Sequence, residues 1–212
     1  MKTETAAERP IRVGISSCLL GLEVRYDGGH KRDRTLTEIL GRFVQWVPVC
    51  PEFELGLGVP RETLRLEGKG ANPRLVFRDS RREITVAMRS WSSRRAEMLL
   101  AEDLSGYVFK KDSPSCGMER VKVYGEGCAV RKKGVGLFAR ELMRRFPLLP
   151  VEEEGRLDDP ALRKNFIGRV FAYRRYRDLL AAGKLPARPL RERYGALFME
   201  ALKIQAKARK HV

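Results

Sequence analysis

Histidine is nearly absent from this chain: only 2 of its 212 residues are His, and one of these sits in the C-terminal KHV. That leaves His30, in the basic loop GGHKRD, as the one imidazole available to the body of the protein. No two cysteines have CxxC spacing, so a closed structural zinc site lacks both of its usual ligand sources. GLGVPRE lacks the spacing of a dinucleotide fingerprint, and GKGANP lacks the lysine-serine ending of a phosphate loop, which excludes both as nucleotide motifs. No apolar run approaches the roughly 20 residues of a membrane span. The opening MKTETAAERP has no signal-peptide core. The expected location is therefore the reducing cytoplasm, where cysteines serve as thiols or metal ligands rather than as disulfides. Internal repeats and low-complexity tracts are also missing.

What is present describes a globular protein, with 43% hydrophobic and 33% charged residues. The length accommodates one α/β domain with a full core plus a smaller appendage. The formal net charge of +16 is uneven, since residues from 159 onward carry 14 Lys or Arg against 4 Asp or Glu. Such a surplus favours anionic partners such as nucleic acid, and equally describes a solvated helical face.

Patterning places a buried strand at 11–17 that ends on Cys18, a helix at 35–43, and a second strand at 44–49 that ends on Cys50. Strands are expected at 74–77 and 83–88, a helix at 90–104, and a strand at 106–109 leading into KKDSPSCG. A further helix is expected in GVGLFARELMRRF. After PLLP and the acidic run VEEEGRLDD come helices at 160–182, with Pro160 well placed at its start, and at 189–210. The expected fold is α/β, a Rossmann-like open sheet with helices on both faces and a short C-terminal helical extension. Residues 1–10 form a flexible N-terminus, 11–150 the α/β domain and 151–212 the extension. A two-helix tail is too small to fold alone and must pack on the main domain or on a partner.

Three of the four cysteines thus follow directly on expected strands. In an open α/β sheet the ligand crevice lies outside the carboxyl ends of the strands, so Cys18, Cys50 and Cys116 converge if their strands are neighbours. Three thiolates on one cavity suit a soft metal centre with an open position. A catalytic thiol and buried structural cysteines are the alternatives that spacing leaves standing. Cys128, in the glycine-rich turn YGEGCAV, has no evident partner and reads as incidental.

SSCLLGLEVRYDGGHK at 16–31, VPVCPEFELGLGVPRE at 47–62 and KKDSPSCG at 110–117 resemble, in order, three motif blocks of the thiouracil desulfurase (TudS) family. The resemblance spans residues 11 to about 150. It implies an oxygen-sensitive 4Fe-4S cluster held by Cys18, Cys50 and Cys116, with the fourth iron free of protein. It also implies a small-molecule thiopyrimidine substrate: 2-thiouracil and water give uracil and hydrogen sulfide without net redox change, through a transient 4Fe-5S intermediate. Such chemistry needs proton donors and acceptors. Glu52, two residues after Cys50, and Ser113, three before Cys116, are the best-placed candidates; the alternatives are a loop carboxylate paired with Arg61 and a turn hydroxyl before Pro114. Tyr26 and Asp27 are candidates for the pyrimidine pocket, by stacking and by hydrogen bonding to a ring N–H. RLDDPALRKNFIGRVFAYRRYRDLL and RERYGALFMEALKIQAKARKHV resemble the start and a later part of a YbgA-type helical domain, whose central segment is missing here. A contrasting reading makes the protein an RNA binder, or a desulfurase of thiolated tRNA bases, acting through these basic helices.

Overall fold

The segment Leu104–Phe109, LSGYVF, offers no charged side chain to solvent, and all six residues are buried. This is the pattern of a parallel strand covered on both faces. In the computed structural model, which describes residues 10–68, 72–125 and 129–183, it is the strand β5. The others are β1 (Arg12–Ser16), β2 (Gln45–Val49), β3 (Leu64–Glu67), β4 (Arg74–Phe77), β6 (Val121–Tyr124), β7 (Val130–Gly134) and β8 (Val151–Glu153). The helices are α1 (Pro51–Glu54), α2 (Thr85–Met98), α3 (Leu137–Arg145) and α4 (Pro160–Ala181).

Strands β2, β1, β5 and β8 form one sheet in that order, parallel throughout. Pro48, which cannot donate to a ladder, is tolerated because β2 lies at the edge. Side chains alternate between two faces. Val13, Ile15 and Val108 pack with Leu36 and Leu40 and with Phe166 and Val170 of α4. Val47, Val49, Tyr107 and Phe109 pack with Met88 and Trp91 of α2 and Phe138 and Leu142 of α3. Helical segments therefore cover both faces, as expected. α4 lies close because position 106 is glycine: a Cβ there would stand 2.7 Å from Val170. Ion pairs of Arg169 with Glu152 at 3.6 Å and of Arg174 with Asp103 at 3.3 Å complete the docking. Asp159 caps α4, accepting from the N–H groups of Ala161 and Leu162 at 2.7 and 3.2 Å, and Pro160 occupies the first turn.

Of the second sheet, β4-β3-β6-β7, the sequence reading contains only the strand at 74–77, which is β4. Its β3–β4 and β6–β7 pairs are antiparallel and β3–β6 is parallel. Leu66, Leu75, Phe77 and Val121 join it to the core around α2 and α3.

Three elements differ from expectation. The strand expected at 83–88 is a single bridge from Glu83 to Val76 followed by the first turn of α2. Period-two alternation in EITVAM is overridden because Thr85, Met88, Ser92 and Ala96 recur at helical spacing on the buried side. α2 consequently begins earlier than 90 and ends at Met98. The segment 35–43 winds as a wide turn, Thr35–Ile39, followed by a tight 3-10 turn, Leu40–Arg42, rather than as a regular helix. The acidic run expected to open the extension supplies β8, so the parallel sheet continues past residue 150. Cys128 and the helix expected at 189–210 lie outside the described residues. Among those described, no helix is long and apolar enough to cross a membrane.

Candidate active site

Because β2, β1 and β5 are adjacent and parallel, their carboxyl ends lie side by side. β1 runs into the 3-10 turn Ser17–Leu20, which carries Cys18. β2 ends at Val49, and Cys50 is the residue that caps α1, with Pro51 in its first turn. β5 leads into the loop that bears Cys116. The three cysteines, far apart in sequence, line a single cavity of about 370 Å³. That volume falls within the range of small-molecule sites, about 300–1,000 Å³.

The loop after β5 is held from several sides. The Lys110 N–H donates to Ser16 Oγ at 3.0 Å, tying this loop to the end of β1. The Lys110 ammonium pairs with Glu154, and the Lys111 N–H donates to the same carboxylate at 2.7 Å. Ser113 Oγ accepts the N–H groups of Cys116 and Ser115 at 3.1 and 3.3 Å, curling the chain before the cysteine. The start of α3 docks underneath: the N–H groups of Leu137 and Phe138 donate to the carbonyls of Pro114 and Ser115 at 3.2 and 3.0 Å. Amides that a helix start would leave unpaired are thereby satisfied by the cysteine loop. Position 136 must be glycine for this contact, since a Cβ would lie 2.5 Å from the Ser115 backbone.

Cys18 and Cys116 are buried and Cys50 is half-buried, all as free thiols. Burial, reinforced by the neighbouring Cys50, pushes the Cys18 thiol up to about 11. Burial also raises Cys50, and it raises Cys116 well above the ordinary thiol value. These surroundings oppose an unassisted nucleophilic thiolate, which forms where the thiol pKa is depressed. Three thiols that only a strong local positive charge would ionise are instead suited to metal ligation, where binding itself drives off the proton. No three His, Cys, Asp or Glu among the described residues stand close enough to share one ion. Three soft donors on one cavity are of the kind that iron–sulfur groups take as ligands.

Glu52, Ser113 and Tyr26 line the same cavity. Glu52 Oε2 receives Nη2 and Nε of Arg61 at 2.6 and 3.0 Å. Its Oε1 accepts the hydroxyl of Ser115 at 2.6 Å, and Ser115 Oγ stands 3.0 Å from Ser113 Oγ. The pairing with Arg61 and the turn hydroxyl at Ser113, alternatives to catalysis in the sequence reading, are thus both present. They also orient the two groups relative to the cavity. Arg61 is fixed by the carbonyls of Val24 and Gly58 at 3.1 and 2.9 Å. The Arg25 guanidinium lies 5.1 Å from the Tyr26 ring centroid, leaving the ring at the cavity wall.

Asp27 is not brought to the cavity. Its carboxylate accepts the Gly29 N–H at 3.1 Å and pairs with Arg25 at 3.3 Å, contacts that hold it below its ordinary value. It closes its own turn, a frequent use of Asp before Gly-Gly. His30 is exposed, with Nδ1 accepting the Arg32 N–H at 3.1 Å, and lies outside the cavity lining. Ser115 is the site residue that the sequence reading missed; its only signal was adjacency to Cys116.

A parallel sheet that delivers three soft donors, a carboxylate and two hydroxyls to one cavity at its carboxyl edge defines an α/β enzyme with a cysteine-built site. The chain belongs to the 2-thiouracil desulfurase family, whose sequence profile matches residues 13–154. The uncharacterised protein YbbK of Bacillus subtilis is 27% identical over 108 residues, which are 49% of this chain and 71% of YbbK. The solved structure of the [4Fe-4S]-dependent thiouracil desulfidase TudS is similar with a TM-score of 0.57 and 29% identity, covering 72% of this chain and 96% of that one.

Proposed function

We propose that this protein hydrolyses the C–S bond of a thiolated pyrimidine, converting 2-thiouracil and water to uracil and hydrogen sulfide. The observation that carries the reading is the convergence of Cys18, Cys50 and Cys116 with Glu52 and Ser113 on one cavity. The three cysteines would hold three irons of a 4Fe-4S cluster and leave the fourth without a protein ligand. Such a cluster supplies a soft Lewis acid for the thiocarbonyl sulfur.

The chain's own residues handle position and protons. Tyr26 offers a ring face against which the pyrimidine stacks. Glu52, clamped by Arg61 on one oxygen, accepts a proton from the attacking water. Ser113 lies within the same hydrogen-bonded group and supplies a hydroxyl at the opposite loop. Overall the water oxygen replaces sulfur on carbon and the two water protons leave with sulfur as hydrogen sulfide. No electrons are gained or lost.

The test is an anaerobic determination of iron and acid-labile sulfide on wild type and Cys50→Ala, followed by turnover of 2-thiouracil. About four irons per chain, lost with Cys50 and accompanied by sulfide release in the wild type, sustain the reading. Absence of iron after anaerobic reconstitution of the wild type refutes it.

A further inference from the structure

Ser115 is 1% exposed, yet its hydroxyl lies between the two groups proposed for acid–base work. A serine hydroxyl has one hydrogen to donate. That hydrogen goes to Glu52 Oε1 at 2.6 Å, so in its 3.0 Å contact with Ser113 the Ser115 oxygen can only accept. Ser113 Oγ–H is therefore the donor there, while its oxygen accepts the N–H groups of Cys116 and Ser115. The chain of hydrogen bonds runs one way, from Ser113 through Ser115 to Glu52, and Arg61 anchors its far end on Glu52 Oε2 at 2.6 Å. Glu52 comes from α1, the helical turn that follows β2 and Cys50, and both serines from the loop after β5, so Ser115 links two cysteine-bearing segments.

We propose that Ser115 is a positioning residue that joins Ser113 to Glu52 and holds the carboxylate in one fixed orientation toward the cavity. The inference rests on the desulfuration reading above. Arg61 holds Oε2 and the Ser115 hydroxyl holds Oε1, each through a hydrogen bond of 2.6 Å. Ser113 Oγ, which donates to Ser115 and accepts two backbone N–H groups, is fully engaged and fixes Ser115 in turn. Without the Ser115 hydroxyl, Oε1 loses this donor and the carboxylate is free to turn about its Arg61 contacts.

Iron-loaded wild type, Ser115→Ala, Ser115→Thr, Glu52→Gln and the Ser115→Ala/Glu52→Gln double variant are compared for iron content, kcat and KM with 2-thiouracil. Ser115→Ala is expected to retain iron and KM while kcat falls about 10- to 100-fold, with the double variant no slower than Glu52→Gln. Ser115→Thr, which keeps the hydroxyl, is expected to restore the rate. A readout independent of turnover and of iron is the infrared carboxylate band isolated by subtracting the Glu52→Gln spectrum, which shifts in Ser115→Ala. Wild-type kcat in fully loaded Ser115→Ala overturns the proposal, as does an unmoved carboxylate band in the iron-free protein. Should Ser115→Ala lose its iron, that band alone decides. Failure of the wild type to release sulfide refutes the desulfuration reading instead, while the infrared comparison still reports on the chain.

Discussion

At the scale of single residues, the site is built from side chains that already have structural partners. Arg61 and Glu52 are both largely buried, with side-chain exposures of 4% and 14%. Removing one member of a buried ion pair strands the other without its counter-charge. Arg61→Met is therefore expected to cost about 3 kcal/mol, read from denaturant unfolding, with the Arg61→Met/Glu52→Gln double variant recovering part of that loss. If the single and double variants are equally unstable, the pair is not coupled as described. Glu52→Gln, by contrast, preserves shape and one acceptor oxygen; it is expected to keep the iron and lower kcat by about 10² or more. Retention of full turnover in that variant would remove Glu52 from the chemistry. That Cys18, Cys50, Cys116, Glu52 and Ser113 line one cavity was legible because each follows an expected strand end within a few residues. Ser115 was not, since a serine becomes a link only when two distant loops meet. Asp27 lies off the cavity lining for a local reason, as its carboxylate accepts the Gly29 N–H two residues away.

At the scale of elements, strands with long apolar runs declared themselves, whereas those whose burial depends on tertiary contact did not. IRVGISS and GYVF announce the centre of the parallel sheet. VRKKG, four of whose five residues are exposed, has no sequence pattern that distinguishes β7 from a charged loop. VEE reads as acidic and solvated, yet all three residues of β8 are buried, because the Glu152 carboxylate meets Arg156 and Arg169 and the Glu153 carboxylate accepts the Met118 N–H. The convergence of the site followed from strand ends, so missing most of the second sheet did not affect it. The contact between α3 and the cysteine loop is the element-level feature most open to test. Gly136→Ala drives a methyl group against the Ser115 backbone. The substitution is expected to destabilise by about 1–3 kcal/mol and to lower iron retention after anaerobic reconstitution. Full iron at unchanged stability would show that the loop can yield without loss.

At the scale of the whole molecule, stability should vary with pH in a direction set by Glu153 near neutrality. This carboxyl is buried at the end of β8, where Oε1 accepts the Met118 N–H at 2.7 Å. The hydrogen bond favours the carboxylate, but burial outweighs it, and the nearby Glu154 and Glu119 add repulsion, pushing the group from 4.5 up to about 7. A folded-state pKa above the unfolded one means that the folded protein holds the proton more tightly. The associated stability is fully present below the unfolded value and is lost as pH rises through about 7. Glu62 and Glu67 act in the opposite sense: hydrogen bonds and arginines hold them below 4.5, so their contribution disappears only in more acidic solution. Between those regimes Glu153 governs the slope, with a contribution on the order of 2 kcal/mol. Wild-type Tm should accordingly fall between mildly acidic and mildly alkaline buffer. Glu153→Gln, which keeps an acceptor for the Met118 N–H and cannot ionise, should flatten that dependence and gain most at the alkaline end. An identical Tm–pH slope in the two proteins would mean that another group controls stability near neutrality.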